Sequence, residues 1–281
     1  MQRALRLCHL SHDDMFRPCN WTLTFLLPMF ISMILAAESV PVHHLEGVTF
    51  GFLVMRDLDG HAIAYGTFKQ VVKPGDPVIA DDVDFKFKDG SIYRESTQFT
   101  QRRIFRLVSD HEVQRGPSFK QQSESWIDMR SGKVTVRTLD AGKAKQTVKQ
   151  LQLPPDVANG LLSILIKNMD PSAETTVSMV ATSGKPRVVK LVFTPSSEKT
   201  GKVGTLEFKA QHYVMKVKIE GVAGKVAPLV GKQPPDSNFW IVKSESPTFI
   251  EFEGPLTADG PVCRIELAAP EPDTRQTSQQ K

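Results

Sequence analysis

From Val48 onward the chain alternates apolar and polar residues. Val83, Phe85 and Phe87 share one parity, while Asp82, Asp84, Lys86 and Lys88 share the other. A period of two places successive side chains on opposite faces of a strand. Tyr213, Met215, Val217 and Ile219 repeat the pattern against Lys216, Lys218 and Glu220, with Val214 the one break. One apolar and one charged face is the mark of an antiparallel sheet with a wet side. Asp59-Gly60 and Asp89-Gly90 separate such runs, and Ser131-Gly132 offers a third turn. Asp-Gly is a strong hairpin signal because the turn needs positive φ and Gly supplies it at little cost. Counted to Leu267, the pattern predicts about twelve to fourteen short strands, spaced as in a barrel or sandwich.

One stretch departs from this rhythm. LPPDVANGLLSILIKNMDP (Leu153 to Pro171) predicts a helix over 155–168, opened by Pro155 and capped by Asp156. Val157, Ala158, Leu161, Leu162, Ile164, Leu165 and Ile166 cover more than half its circumference. A helix lying on a sheet shows a narrower apolar stripe, so this one is expected to be enclosed. Gly160 weakens a helix by ~1 kcal/mol relative to Ala and points to a close approach by another segment. The expected fold is all-β, mainly β with one central helix: a curved antiparallel sheet or half-barrel enclosing a plug helix. A two-sheet sandwich with the helix packed on one end is the alternative. The helix either completes a dry core or lines a ligand cavity.

The order of these motifs resembles a known family. Strand meanders lead to LPPDVANGLLSILIKN, then to HYVMKVKIEGVAG, LVGKQPPDSNFWIV and PTFIEFEGPLTADGPVCRIELA. From about Leu45 to Ala269 this is similar to the bacterial periplasmic lipoprotein-carrier fold and to exported proteins of unknown function grouped with it. The resemblance implies a location in the bacterial cell envelope and an apolar ligand such as a lipid or acyl chain.

The N-terminus reads as a targeting segment. Trp21 to Ala37 is an apolar run preceded by Arg3, Arg6 and Arg17 and ending on Ala36 and Ala37. That is the layout of a secretory signal peptide, so 1–37 is expected to be removed. Asp13 and Asp14 interrupt the early positive region, which makes Met15 an alternative start. The competing expectation is an inner-membrane anchor over 21–37, although the run is short of the ~20 residues that span a bilayer. Residues 38–269 then form one β-rich domain, and the polar tail 270–281 is expected to be disordered. The product is expected to be periplasmic or secreted.

Composition adds exclusions. The 281 residues carry a net charge of +4. Arg102, Arg103 and Arg106 are the densest basic group and are interleaved with apolar strand residues, so no nucleic-acid surface is indicated. Of the three cysteines, only Cys263 lies beyond residue 37, and its alternating surroundings place it in a buried strand.

Chemistry is sparse. GVAGKV (Gly221 to Val226) has the wrong spacing for a phosphate loop. DLDG (Asp57 to Gly60) begins like a calcium loop but lacks the later Glu. His43-His44 follows the targeting segment, and adjacent residues on an extended chain point apart. No nucleophile elbow occurs, and Asp81, Asp82 and Asp84 read as solvated. No catalytic residue, metal site or cofactor is assigned, and the chain is not read as an enzyme.

The leading expectation is a binding or carrier protein for a lipid or other apolar small molecule, with transient membrane contact. Its cavity would be lined by Phe85, Phe87, Phe99, Phe105, Trp126, Leu161, Leu165, Tyr213, Met215 and Trp240. The Pro-punctuated stretch Ala227 to Trp240 would serve as a lid or a connector. An envelope scaffold or interaction protein with a dry core is the alternative. A deep pocket holding two ionisable groups with strongly shifted pKa values would reopen the enzyme reading.

Overall fold

Alternation on this scale produces one sheet. The computed structural model describes residues 39–140, 142–203, 206–219 and 234–268. The expected targeting segment 1–37, the polar stretch 270–281 and residues 220–233 lie outside them. No helix among the described residues is long and apolar enough to cross a membrane.

Eight strands form a first meander: β1 (Thr49–Arg56), β2 (Ala62–Val72), β3 (Val78–Phe87), β4 (Ile92–Gln101), β5 (Phe105–Arg115), β6 (Gln122–Asp128), β7 (Lys133–Asp140) and β8 (Lys143–Gln150). A short helical segment follows, and then a second meander of β9 (Thr175–Ala181), β10 (Arg187–Val203), β11 (Leu206–Lys218), β12 (Ser237–Val242), β13 (Thr248–Pro255) and β14 (Val262–Leu267). All fourteen belong to one antiparallel sheet, in the order β8-β7-β6-β5-β4-β3-β2-β1-β14-β13-β12-β11-β10-β9. The sheet is not closed: β8 and β9 are its two edges. Gly60 and Gly90 carry positive φ, 89° and 86°, in the β1–β2 and β3–β4 hairpins, where the turn geometry requires it.

The core shows that this sheet curls. Ile127, Val134 and Val136 from one end and Val177, Leu191 and Phe193 from the other join a single apolar cluster with Leu161, Ile164, Leu165 and Ile166 between them. Residues near opposite edges of an extended sheet can meet only if it wraps around the segment they share.

That segment is less helical than expected. The helix predicted over 155–168 is a single turn, α1 (Leu162–Leu165), followed by one 3₁₀ turn at Ile166–Asn168. Gly160 adopts φ 67°, a left-handed conformation that ends any right-handed helix. Asp156 is therefore no helix cap. Residues 156–159 instead run along the edge of β9: Ala158 N donates to Ser178 O at 2.9 Å, and the Asn159 side chain bonds both backbone groups of Val180. This covers an otherwise open strand edge. The Asp156 carboxylate accepts from Ser178 Oγ at 2.8 Å, and Lys190 Nζ donates to that hydroxyl at 2.9 Å. The opposite edge, β8, is exposed and carries Lys143, Lys145 and Lys149, charges that discourage strand addition.

The chain just before β1 crosses the helical segment as a strap. Val40 is buried, its carbonyl accepts from Phe105 N, and Val42 N donates to Arg103 O. Asn168 Oδ1 accepts from the backbone N–H groups of both His43 and His44, at 2.9 and 2.7 Å, while Asn168 Nδ2 donates to Ile164 O. His43-His44 is thus tied down rather than a loose end.

Candidate functional site

The helical segment has two environments. Leu161, Leu165 and Ile166 are 1%, 4% and 1% exposed and pack into the core. Leu162, Ser163, Ile164 and Lys167 border a cavity of about 720 Å³ between the segment and the concave face of the sheet. The space around the helix is therefore filled on one side and open on the other. The cavity volume falls within the range of about 300–1,000 Å³ typical of small-molecule sites.

Most of the wall is apolar: Leu53, Val83, Phe85, Phe239, Phe252 and Ile265 contribute to it. One patch is not. Strand register places Asp81, Thr97 and Asp110 in one row across β3, β4 and β5, and Val83, Glu95 and Glu112 in the next. Side chains directly opposite on one face have Cβ atoms about 4.5–5.5 Å apart. Four carboxyl groups thus share two adjacent rows of the concave face. Asp81, Glu95 and Glu112 border the cavity, as do Glu46 of the strap, Gln70 and Lys167.

Burial sets the protonation of these groups. It pushes Asp81 up to about 7, with Lys167 opposing the shift and Glu46 and Asp82 adding to it. Asp110 is likewise raised to about 7 by burial and by Glu112, against the hydrogen bond from Thr97 Oγ1 at 2.9 Å. Glu95 lies well above the ordinary carboxylate range, chiefly through burial and then through Asp110 and Glu112. Burial also raises Glu112, against hydrogen bonds from Gln114 and Tyr93, with the Tyr93 hydroxyl 3.3 Å from Glu112 Oε2. Removing a carboxylate from water favours its neutral form.

Lys167 does not neutralise the patch. It is paired with Glu46 at 2.6 Å. Asp81, 7% exposed, lines the cavity and makes no hydrogen bond or ion pair among the described residues. A chain with a net positive charge therefore keeps an acidic interior surface.

The residues predicted to line a cavity divide into four groups. Phe85 and Met215 border the main cavity. Phe87 borders a smaller pocket of about 420 Å³ with Met55, Ile63, Phe119, Leu256 and Cys263. Phe99, Phe105, Leu161, Leu165 and Tyr213 pack in the core. Trp126 and Trp240 require correction. Their neighbours Ile127, Phe239 and Ile241 point into the core, so alternation puts both tryptophans on the outer face. There Trp126 stacks on His111 at 5.0 Å beneath Arg137, and Trp240 stacks on His212 at 4.8 Å beneath Lys199. Residues 227–233 of the expected lid lie outside the described residues, and of the remainder Pro234, Pro235, Ser237 and Phe239 border the cavity.

The carboxyl patch was missed, although part of its signal was legible. Asp81 has the parity of Val83, Phe85 and Phe87, and Glu95 has that of Tyr93 and Phe99, so each interrupts an inward-facing row. Asp110 and Glu112 could not be placed in this way. The register shifts between Gln98 and Phe99 so that Val108 is an extra residue in β5, and a bulge reverses parity beyond it.

Two other groups bear on chemistry. Asp57, Asp59 and His61 bring donor atoms within 4.8 Å of one another in the first hairpin. Two of the three already satisfy each other, with His61 Nδ1 3.2 Å from Asp57 Oδ2. Cys263 is buried and its thiol is pushed up to about 11 by burial, which keeps it protonated at neutral pH.

Compared with protein families, with curated proteins and with solved structures, the chain finds no match in any of the three.

Proposed function

We propose that this is an exported cell-envelope protein that binds or carries a ligand with an apolar chain, such as a lipid or acyl chain, in the cavity beside α1. The observation that carries this reading is the cavity itself: about 720 Å³, bounded largely by aliphatic and aromatic side chains of the concave face. Burial of apolar surface is the main source of affinity in such a site, and a few polar groups fix orientation. The apolar run at Trp21 to Ala37 and the resemblance to the lipoprotein-carrier fold support an envelope location and the same ligand class.

Native mass spectrometry after mild purification tests the proposal. A co-purifying lipid, together with saturable binding of a hydrophobic dye that is lost in Leu162→Trp, supports it. No adduct and no dye binding by the folded protein contradicts it.

A second reading has its own observation. Cavity-facing carboxyls with raised pKa values are suited to proton transfer near neutral pH. Acid–base chemistry on the bound ligand would then show as conversion of the co-purified molecule over time, abolished by Glu95→Gln with binding retained. A ligand recovered unchanged after prolonged incubation contradicts that reading.

A further inference from the structure

We propose that the ligand's head group is a cation, an ammonium carried on an apolar chain, seated against Asp81, Glu95 and Glu112 of β3, β4 and β5. The inference rests on the cavity being a ligand site and specifies which end of the ligand it recognises.

Four observations carry it. First, the acidic patch and the apolar wall are contiguous on the same strands. Asp81, Val83 and Phe85 succeed one another along the inner face of β3, and Phe85 joins Leu53 and Ile265 in the adjoining apolar cluster. A molecule with its head at Asp81 would lay its chain over Phe85. Second, Asp81 is nine-tenths buried, borders the cavity and has no hydrogen-bond or ion-pair partner among the described residues. Its carboxyl oxygens open onto the cavity rather than being sealed from it, so they can accept from a donor-bearing ligand.

Third, the sign of the charge selects the head group. The titratable groups on the concave face there are Asp81 on β3, Tyr93 and Glu95 on β4, Asp110 and Glu112 on β5, Glu46 and His44 on the strap, and Lys167 on the 3₁₀ turn, while Arg187 of β10 and Asp259 border the cavity elsewhere. Of the two cations bordering the cavity, Lys167 is paired with Glu46, and Arg187 donates to Ser183 O, whose side chain bonds Asp259, away from the β3–β5 carboxyls. Wherever these carboxyls are ionised, which for Asp81 means above about pH 7, a carboxylate or phosphate head would face like charge, whereas an ammonium favours their ionised form. Fourth, the carboxyls do not converge on one point. Among the described residues only Asp57, Asp59 and His61 bring three donor atoms within 4.8 Å. A spread of acceptors suits an ammonium with several N–H donors better than a bare metal ion.

Seating a cation favours the charged carboxylates, so binding near neutral pH releases protons. The test uses protein purified from its own cells and stripped of adducts, titrated calorimetrically with decylamine, decanoate and 1-decanol. The expected result is decylamine binding at least about tenfold tighter than decanoate at about pH 8. Proton release on amine binding should also appear at about pH 7, as heats that differ between buffers of unlike ionisation enthalpy. In the double variant Asp81→Asn, Glu95→Gln the preference should shrink to within about twofold, with decanol affinity retained. Decanoate binding as tightly as decylamine, or a preference that survives the double variant, overturns the head-group assignment alone. Failure of all three to bind overturns the cavity reading and this inference with it.

Discussion

Gly160 rests on Thr97 with no room for a side chain between them. A Cβ added at Gly160 would overlap the Thr97 hydroxyl and lie 2.9 Å from Asp110 Oδ1. This contact seals the Thr97–Asp110 pair, where Thr97 and Asp110 are 2% and 3% exposed, and it seats the helical segment against the sheet. Gly160 also holds φ 67°, so steric overlap and backbone strain act together. Gly160→Ala should cost about 2–4 kcal/mol of stability, read as a lower denaturant midpoint. A midpoint within experimental error of the parent would show that the segment is not held at this contact.

The buried carboxyls make stability depend on pH in an unusual direction. Asp81 and Asp110 have folded-state values of about 7 against an ordinary 3.8. Between those values the folded state binds more protons than the unfolded one, so stability falls as pH rises through the window. The contribution is complete below about 3.8 and is lost by a little above 7. Thermal melts should therefore drop by at least about 4 °C from pH 5 to pH 8. The double variant Asp81→Asn, Asp110→Asn should flatten that slope. A melting temperature that rises over the same interval would contradict the burial of these groups.

The strap hangs on Asn168. Its side chain satisfies the His43 and His44 amides and the Ile164 carbonyl, and it is 2% exposed. Asn168→Ala should cost about 2–3 kcal/mol, since it removes three hydrogen bonds, one to the buried Ile164 carbonyl and two from the part-buried His43 and His44 amides. Hydrogen exchange at the His43 and His44 amides should accelerate before global unfolding. Unchanged protection there would mean that other contacts hold the strap.

Lys190 is the counter-charge to a buried acid. Its ammonium donates to Ser178 Oγ and lies 4.0 Å from Asp156, whose side chain is 2% exposed. Lys190→Met should destabilise by about 3 kcal/mol, because removing one member of a buried pair leaves the other uncompensated. Lys190→Met with Asp156→Asn should recover part of that loss. A single variant as stable as the parent would remove the network from the account.

How far the sequence goes depends on what each signal encodes. Parity is local, so the hairpins around Gly60 and Gly90 and the inward row Val83, Phe85, Phe87 were legible. The extension of the Tyr213–Val217 alternation back to Leu206 as one strand, β11, was not. The long partner β10 extends through the mainly polar residues 196–202, where backbone pairing holds a segment that has no apolar face of its own. The helix was over-extended because apolar content does not distinguish a helix from a segment laid along a strand edge. Only the φ of Gly160 does, and a sequence does not display it. Trp126 and Trp240, expected in the cavity wall, have the opposite parity to Ile127 and Phe239, and that parity places them outside. Asp110 and Glu112 depended on the bulge at Val108, which no residue preference announced.

That outward placement has a consequence of its own. Trp126→Ala and Trp240→Ala should change hydrophobic-dye affinity by no more than about twofold, since their rings pack on histidines of the convex face. A dye site abolished by either change would move the ligand to the outside of the sheet.

The central claim is that the space beside α1 accommodates a ligand. Binding of a hydrophobic dye to the stripped protein, compared with Leu162→Trp, tests it most directly, because Leu162 borders the cavity and is only partly buried. The account predicts saturable binding at one site per chain, lost in the tryptophan variant while its melting temperature is retained. Equal binding by both proteins, or none by either, would contradict it.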